Sequence, residues 1–550
     1  MSGYFHPLFS HRIFHDRLLR IALRSSHLAA FLAFVIMLSL VPANASRAEV
    51  SDHALRPLAK SLEAFGGRDR LMSVKAVRFE EKMLNFEPFQ GLESRGAPRH
   101  VSSEHSHARW HPASGDFQIE RSLETYQPKL ERRRYQVMHH GGRGLLVGSD
   151  GHIPLSDKTA LTAARAKAEQ KQFWITNPGL LMAYAFDSAV RIDDRMFGGR
   201  LYPTFQLDHA DAKWIIVINP DNHFPWLLET QEIDPQLGIV HHTYRMGAWT
   251  TVDGAVFPRK LGQYLIPAAR EASTRHDEFI IRRVLRQDFQ IWTDEGDAPP
   301  PIGSPDIPVK DLVKLAEPDH AHRGTEQAHF FLRQANRAEP IDDDRSKITL
   351  VEQATGVFRV AGTRYHSLLV VGPASLALVN APVNAERTQS LIDEAAARWP
   401  DKPIRHLILS HHHATDTGGL RPLIKSGVQV MLPKADLPFF QEIFGQLTET
   451  PNIVTVWQKG RLPGFGRELF VYDVPNATVY DLLITHIPDA KIVFSPLLYQ
   501  PGSEDQDFQS VRTLLGAIDF YGPETELLVT GRGTGSVSID DVRASVDRSQ

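Results

Sequence analysis

Between Asp294 and Pro308 the chain reads Glu-Gly-Asp-Ala-Pro-Pro-Pro-Ile-Gly-Ser-Pro, which can continue neither a helix nor a strand. This stretch divides 550 residues into halves of different periodicity. Upstream, strand-like runs follow one another: Ala76–Met83, Lys213–Ile218, Trp226–Ile233, Gly238–Trp249, Phe257–Ile266 and Glu278–Trp292. Short turn signals such as Asn219-Pro220-Asp221-Asn222 separate them, so this half is expected to be a mainly antiparallel β meander. Helical patterns at Leu55–Phe65, closed by Gly66-Gly67, at Asp157–Lys171 and at Pro178–Ala185 interrupt it. Downstream, strand runs at Ile348–Val360, His366–Asn380 and Ile404–Ser410 interleave with helical spacing at Ala385–Trp399 and Asp507–Phe520. That alternation predicts an α/β half.

Composition narrows the chemistry. The chain has no cysteine, which excludes disulfide scaffolds, thiolate nucleophiles, Cys-ligated zinc and iron–sulfur clusters. Any metal must be held by His, Asp or Glu, and 26 histidines are available. A net charge of −4 offers no basic face for nucleic acid.

At the N-terminus Arg12, Arg17, Arg20 and Arg24 precede an apolar run from Leu28 to Val41, then Pro42 and Ala43-Asn44-Ala45. That order predicts a signal peptide over residues 1–45, its apolar run being shorter than the ~20 residues of a membrane span. The expected organisation is signal 1–45, β-rich domain 49–293, linker 294–345, with two helical patches at Val309–Ala316 and Gly324–Ala338, and α/β domain 346–550. After cleavage no membrane span is expected, and the protein is read as exported and periplasmic.

The chemistry-bearing segment runs from Ile404 to Leu420. A buried strand ends at Ser410 and delivers His411, His412 and His413 into a loop, with Asp416 behind them and Gly418-Gly419 opening the next helix. Residues i and i+2 of an extended segment point the same way, so His411 and His413 are expected to converge while His412 faces elsewhere. Neutral imidazole is a good ligand for Zn, Fe or Mn. The other histidines read as structural: Asp319-His320-Ala321-His322 lies in the linker, His139-His140 and His241-His242 put at most one member each into the core, and His406 and His486 are strand residues. Gly531-Arg-Gly-Thr-Gly535 lacks the Lys of a phosphate loop and reads as a surface turn. A Ser-His-Asp hydrolase has no Gly-x-Ser-x-Gly support.

The segment from Ser410-His411-His412-His413 to Gly418-Gly419 resembles the metallo-β-lactamase fold superfamily, whose members carry His-x-His-x-Asp-His and a following Gly-Gly. Gly356-Val-Phe-Arg-Val, His366-Ser-Leu-Leu-Val-Val and Leu376-Ala-Leu-Val-Asn-Ala-Pro look like its opening strands, and the resemblance covers about residues 348–548. It implies an α/β fold, the αββα sandwich, and hydrolysis by a metal-bound water. The N-terminal half, through Ala64-Phe-Gly-Gly-Arg-Asp-Arg-Leu, Asn219-Pro-Asp-Asn-His-Phe-Pro and Gly254-Ala-Val-Phe-Pro-Arg, resembles the domain preceding the hydrolase-like one in exported members. That domain is similar to the curved sheet of lipoprotein carriers, which implies a small-molecule or lipid ligand.

Matched position by position, the family's metal site is depleted. His411 and His413 keep the first two ligands, but Thr415 and Asp416 stand where Asp and His are expected. Thr478, Leu497 and Thr530 occupy the remaining ligand positions. Two functions follow. One is a non-catalytic descendant with a ligand- or lipid-binding envelope role, and the ligand count puts it ahead. The other is a mononuclear hydrolase of an ester, lactone or amide bond, with His411, His413 and Asp416 as metal ligands and Asp416 the candidate catalytic group. The expected metal is one Zn, Fe or Mn at low occupancy, or none. Oligomeric state is left open.

Overall fold

A computed structural model describes residues 46–126, 130–148, 158–267, 278–294, 313–314, 332, 347–447, 451–503 and 506–548. The signal region and nearly all of the linker, including His320 and His322, lie outside the described residues. Two compact units are distinguished, Met1–Ala59 and Lys60–Gln550, and all that follows concerns the second. Among the described residues, no helix is long and apolar enough to cross a membrane.

Among the described residues, thirteen strands of the upstream half and the linker strand Val313–Lys314 form one open sheet. Its antiparallel path runs from Arg143–Gly148 through Glu131–His140, Asp116–Thr125 and Arg99–His111 to Ala76–Glu87. There it jumps to Phe279–Trp292 and returns strand by strand to Val190–Phe197. The seam between the first long strand and the last pairs Met83 with Val284 and Lys82 with Leu285.

Local chemistry explains several boundaries. The helical segment from Lys60 to Ala64 ends at Gly66 and Gly67, whose φ values are +105° and +91°. The Gly67 N–H bonds Leu62 O at 2.8 Å and the Gly66 N–H bonds Glu63 O at 3.0 Å, the paired bonds of a glycine-terminated helix. The helix expected at Asp157–Lys171 is corrected: Lys158–Ala160 is a strand, and the helix Ala163–Thr176 starts where Thr162 Oγ1 accepts the Arg165 N–H. Within Val309–Ala316, also expected helical, the described pair Val313–Lys314 is a strand on Arg143–Gly148. The runs Ile348–Val360 and His366–Asn380 are each two strands rather than one, folded back at Gly356 (φ +69°) and at the Gly372–Ser375 turn.

The helix Ala163–Thr176 is fixed to the sheet by rings and by buried charge. Trp110 stacks on Phe173 at 5.4 Å and meets Trp174 edge-on at 4.6 Å. Lys171 Nζ lies 2.7 Å from Glu232 Oε1, each side chain 2% exposed. Arg121 binds Glu169 at 2.6 Å and Glu104 at 2.9 Å.

The downstream half has two sheets. The first is antiparallel from Thr349–Ala354 to Leu376–Val379, then parallel through Ile404–Ile408, Gln429–Pro433 and Asn452–Val456. The second runs from Lys459–Arg461 to Ser536–Ser538, with one parallel pairing, of Ile492–Ser495 with Leu527–Thr530. Side chains alternate across both. Leu368, Val370, Ala377 and Val379 of the first sheet share a core with Val471, Leu483, Ile492 and Phe494 of the second. Their neighbours Leu369, Leu376 and Leu378 face the other way, toward the helices that carry Leu391, Ile424 and Phe440. On the far side Ile484, Val493 and Leu528 pack on Val511, Leu514 and Val542 of the last two helices.

Phe89, Leu237, Val240, Leu265 and Ile281 of the upstream half belong to the same core as Phe439 and Phe440. The two halves therefore share buried apolar surface, and the loop around Phe89 is held against the downstream half.

Breaking the Lys171–Glu232 pair should strand a buried carboxylate. Lys171→Met is expected to cost about 3–5 kcal/mol in denaturant unfolding, and adding Glu232→Gln to recover part of that loss.

Candidate functional site

Asn380, at the end of the strand Leu376–Val379, accepts the Ser410 N–H on its side-chain oxygen at 2.9 Å and fixes where the next strand stops. From there His411, His412, His413 and Asp416 are all buried, Asp416 completely. The helix Ala414–Thr417 follows, and Thr417 Oγ1 donates to His413 O at 2.9 Å. Gln236 of the upstream half donates to His412 O and to Thr417 Oγ1, both at 2.6 Å.

The three imidazoles do not share one partner. His411 Nδ1 meets Ser410 Oγ at 2.8 Å, and its Nε2 stands 3.5 Å from Asp416 Oδ2. His412 Nδ1 lies 3.1 Å from Asp436 Oδ1. His412 Nε2 and His413 Nε2 both reach Gly91 O, at 3.2 and 3.0 Å. A carbonyl oxygen only accepts, so both Nε2 atoms carry hydrogen there and hold no lone pair for a metal. The rings of His411 and His413 are close, 4.8 Å between centroids, but His413 Nε2 is on Gly91 O while His411 Nε2 is buried without a hydrogen-bond partner. Burial first, then His412 and the Arg532 cation, hold His411 well below the usual imidazole range. Burial and the two adjacent histidines do the same to His413. Both are neutral.

Asp416 is engaged on every side. Arg532 Nη2 donates to its Oδ2 at 2.7 Å, Thr415 Oγ1 donates to the same oxygen at 2.8 Å, and Asn380 Nδ2 reaches Oδ1 at 3.4 Å. Arg532 also lies over the Tyr365 ring at 4.5 Å and donates to Thr415 Oγ1 at 3.3 Å. The reading of Gly531–Gly535 as a surface turn is corrected: it is a turn, but its Arg532 side chain runs inward and is only 19% exposed. Of the other depleted positions, Thr530 is buried with its hydroxyl on Arg532 O and Gly535 O. The Thr478 N–H bonds Asn476 Oδ1, and Leu497 packs against the core of the last two helices.

The residues do not fit the metal that the family resemblance implies. A guanidinium already neutralises Asp416, and a dication beside it would be repelled at short range. His413 would have to give up its bond to Gly91. Among the described residues, the His, Asp and Glu donor atoms that gather in threes within 4.8 Å are those of Glu80, His105 and His107 instead. That set was missed in the sequence, although His105 and His107 alternate along one strand and so share a face. The histidines read as structural behave so: His242 is buried beside a partly exposed His241, His406 Nδ1 lies 3.3 Å from Gln429 Oε1, and His486 Nε2 lies 3.2 Å from Glu524 O.

The large sheet carries the other feature capable of binding, a cavity of about 1190 Å³. Lys82, Arg134, Arg245, Lys260 and Arg283 line it together with Leu84 and Leu285, which are 41% and 39% exposed. Arg245 is paired with Glu278 at 2.7 Å. Arg134, Lys260 and Arg283 have no ion-pair partner among the described residues.

Comparison with known proteins gives fold likeness. A metallo-β-lactamase from Pontibacter korlensis is 16% identical, covering 36% of this chain and 98% of that one, with a TM-score of 0.31. FIM-1 from Pseudomonas aeruginosa, in a mono-zinc form, is 17% identical over 36% of this chain and 93% of its own, TM-score 0.31. The sec-alkylsulfatase Pisa1 from Pseudomonas sp. is 18% identical over 37% of this chain and 42% of that one, TM-score 0.30. No family model and no curated protein matches.

Removing the Arg532 cation should cost more than a surface ion pair. Arg532→Met is expected to destabilise the chain by about 3–5 kcal/mol, and Arg532→Met/Asp416→Asn by less than the sum of the single changes, in a double-mutant cycle read by denaturant unfolding.

His366 gives a pH test. Burial, then the Arg359 cation, push it down to about 4, with Nδ1 3.2 Å from Thr530 O. Between pH 6.5 and 4 the unfolded chain binds a proton that the folded chain refuses, so stability falls with falling pH, on the order of 3 kcal/mol from this group. Asp473, raised to about 6 by burial and by Asp481, acts with the opposite sign. His366→Gln should therefore flatten the difference in Tm between pH 7 and pH 4.5, measured against the unsubstituted chain.

Proposed function

We propose that the downstream half, residues 346–550, is an αββα sandwich of the metallo-β-lactamase type that has given up hydrolytic metal chemistry at the His411 segment. The chain works as an exported, periplasmic binding protein. Residues 1–45 serve as its signal, 49–293 as its ligand-binding sheet and 294–345 as the linker. The observation that carries this reading is the Arg532 guanidinium on Asp416 Oδ2, 2.7 Å away, where a hydrolase needs an open metal position with an acidified water. The upstream sheet supplies the ligand site: cations with no ion-pair partner among the described residues, around exposed leucines, suit an anionic amphiphile, its head on Lys260, Arg283 and Arg134 and its tail on Leu84 and Leu285.

The test uses the full chain. A panel of esters, lactones and amides with added Zn, Fe(II) or Mn should show no turnover beyond that of His411→Ala. A fluorescent fatty acid should bind with one site per chain and at least tenfold more weakly to Lys260→Glu/Arg283→Glu. Turnover that needs His411, His413, Asp416 and added metal would replace this reading with that of a mononuclear hydrolase. Equal fatty-acid binding by both proteins would remove the ligand site.

A further inference from the structure

On the exposed face of the large sheet, three donor groups meet that the histidine segment of the downstream half does not involve. His105 and His107 stand two residues apart on the strand Arg99–His111, so their side chains leave the same face. Their rings are 4.9 Å apart between centroids. Glu80 comes from the adjacent strand Ala76–Glu87, where it pairs with His107. One imidazole nitrogen from each histidine and one carboxylate oxygen lie within 4.8 Å of one another.

We propose that Glu80, His105 and His107 form a surface site for one divalent late transition-metal ion, of which Zn2+ is the reference case. Two imidazoles and a carboxylate are a donor set that holds zinc with a remaining position open to water or ligand. The 2.6 Å hydrogen bond between His105 Nε2 and Glu80 Oε1 is one that the ion would replace, its proton leaving to solvent, and Gln287 Nε2 donates to the same oxygen at 2.9 Å. A neighbour that holds a ligating carboxylate in place in this way tightens metal binding. Lys82 Nζ, 3.8 Å from that oxygen, is 57% exposed and free to turn into solvent. His105 also lines the 1190 Å³ cavity, so the ion would sit at its rim. The site stands independently of the reading of the His411 segment.

Isothermal titration of chelator-stripped full-length protein with Zn2+ tests the proposal, with Co2+ as a spectroscopic probe of the same site. Wild type should take one Zn2+ per chain, and Co2+ should develop visible d–d bands. His105→Ala and His107→Ala should each weaken binding at least tenfold, Glu80→Gln should weaken it less, and the double histidine variant should lose the bands. His411→Ala/His413→Ala should leave stoichiometry and bands unchanged. Absence of binding to wild type, or equal binding by His105→Ala/His107→Ala, would overturn it. Circular dichroism establishes that each variant is folded; the truncated side chains are His105, 43% exposed, and the exposed His107, while Glu80 is changed only to the equally sized Gln.

Discussion

A carboxylate removed from water must meet a positive charge, and Asp416, with no exposed surface, meets Arg532. The rest of the segment is arranged around that pair. Thr415 and Asn380 give Asp416 its remaining hydrogen bonds, and Tyr365 covers the guanidinium. Arginine carries one charge spread over a planar fork of donors and cannot be deprotonated at ordinary pH, so it satisfies the carboxylate without acidifying a water.

The upstream half completes the enclosure. Phe89 sits at φ +60°, a conformation a bulky side chain adopts only where packing holds it. Its ring lies 4.6 Å from Phe279 and 5.3 Å from Phe439, and Phe439 in turn touches His412. That aromatic chain brings the Gly91 carbonyl onto His412 and His413. Gln236, from another strand connection, holds the loop backbone. The two halves are thus joined at the very segment where a hydrolase would keep an opening for substrate.

Local features were legible in the sequence because their causes are local. Gly66-Gly67 ends its helix as expected, the strand before His411 ends at Ile408, two residues short of the expected Ser410, and successive hydrophobic runs make the antiparallel path of the large sheet. The contacts that enclose Asp416 and His413 could not be read that way. Arg532 is 116 residues from Asp416, and Gly91 is 322 residues from His413, so neither contact leaves a periodic trace. The strand Lys158–Ala160 was taken for helix because its polar composition has no β signature and its pairing is set by Arg143–Gly148. His105 and His107, by contrast, were visible at period two and passed over beside a conspicuous run of three histidines.

The central claim is that Arg532 holds the place of a metal ion. It is tested most directly by the metal content of full-length protein carrying His105→Ala/His107→Ala, produced with ample zinc, purified without chelators and measured by plasma mass spectrometry. The account predicts far less than one ion per chain, with no change on further substitution of His411. Close to one ion per chain, lost on His411→Ala, would contradict it.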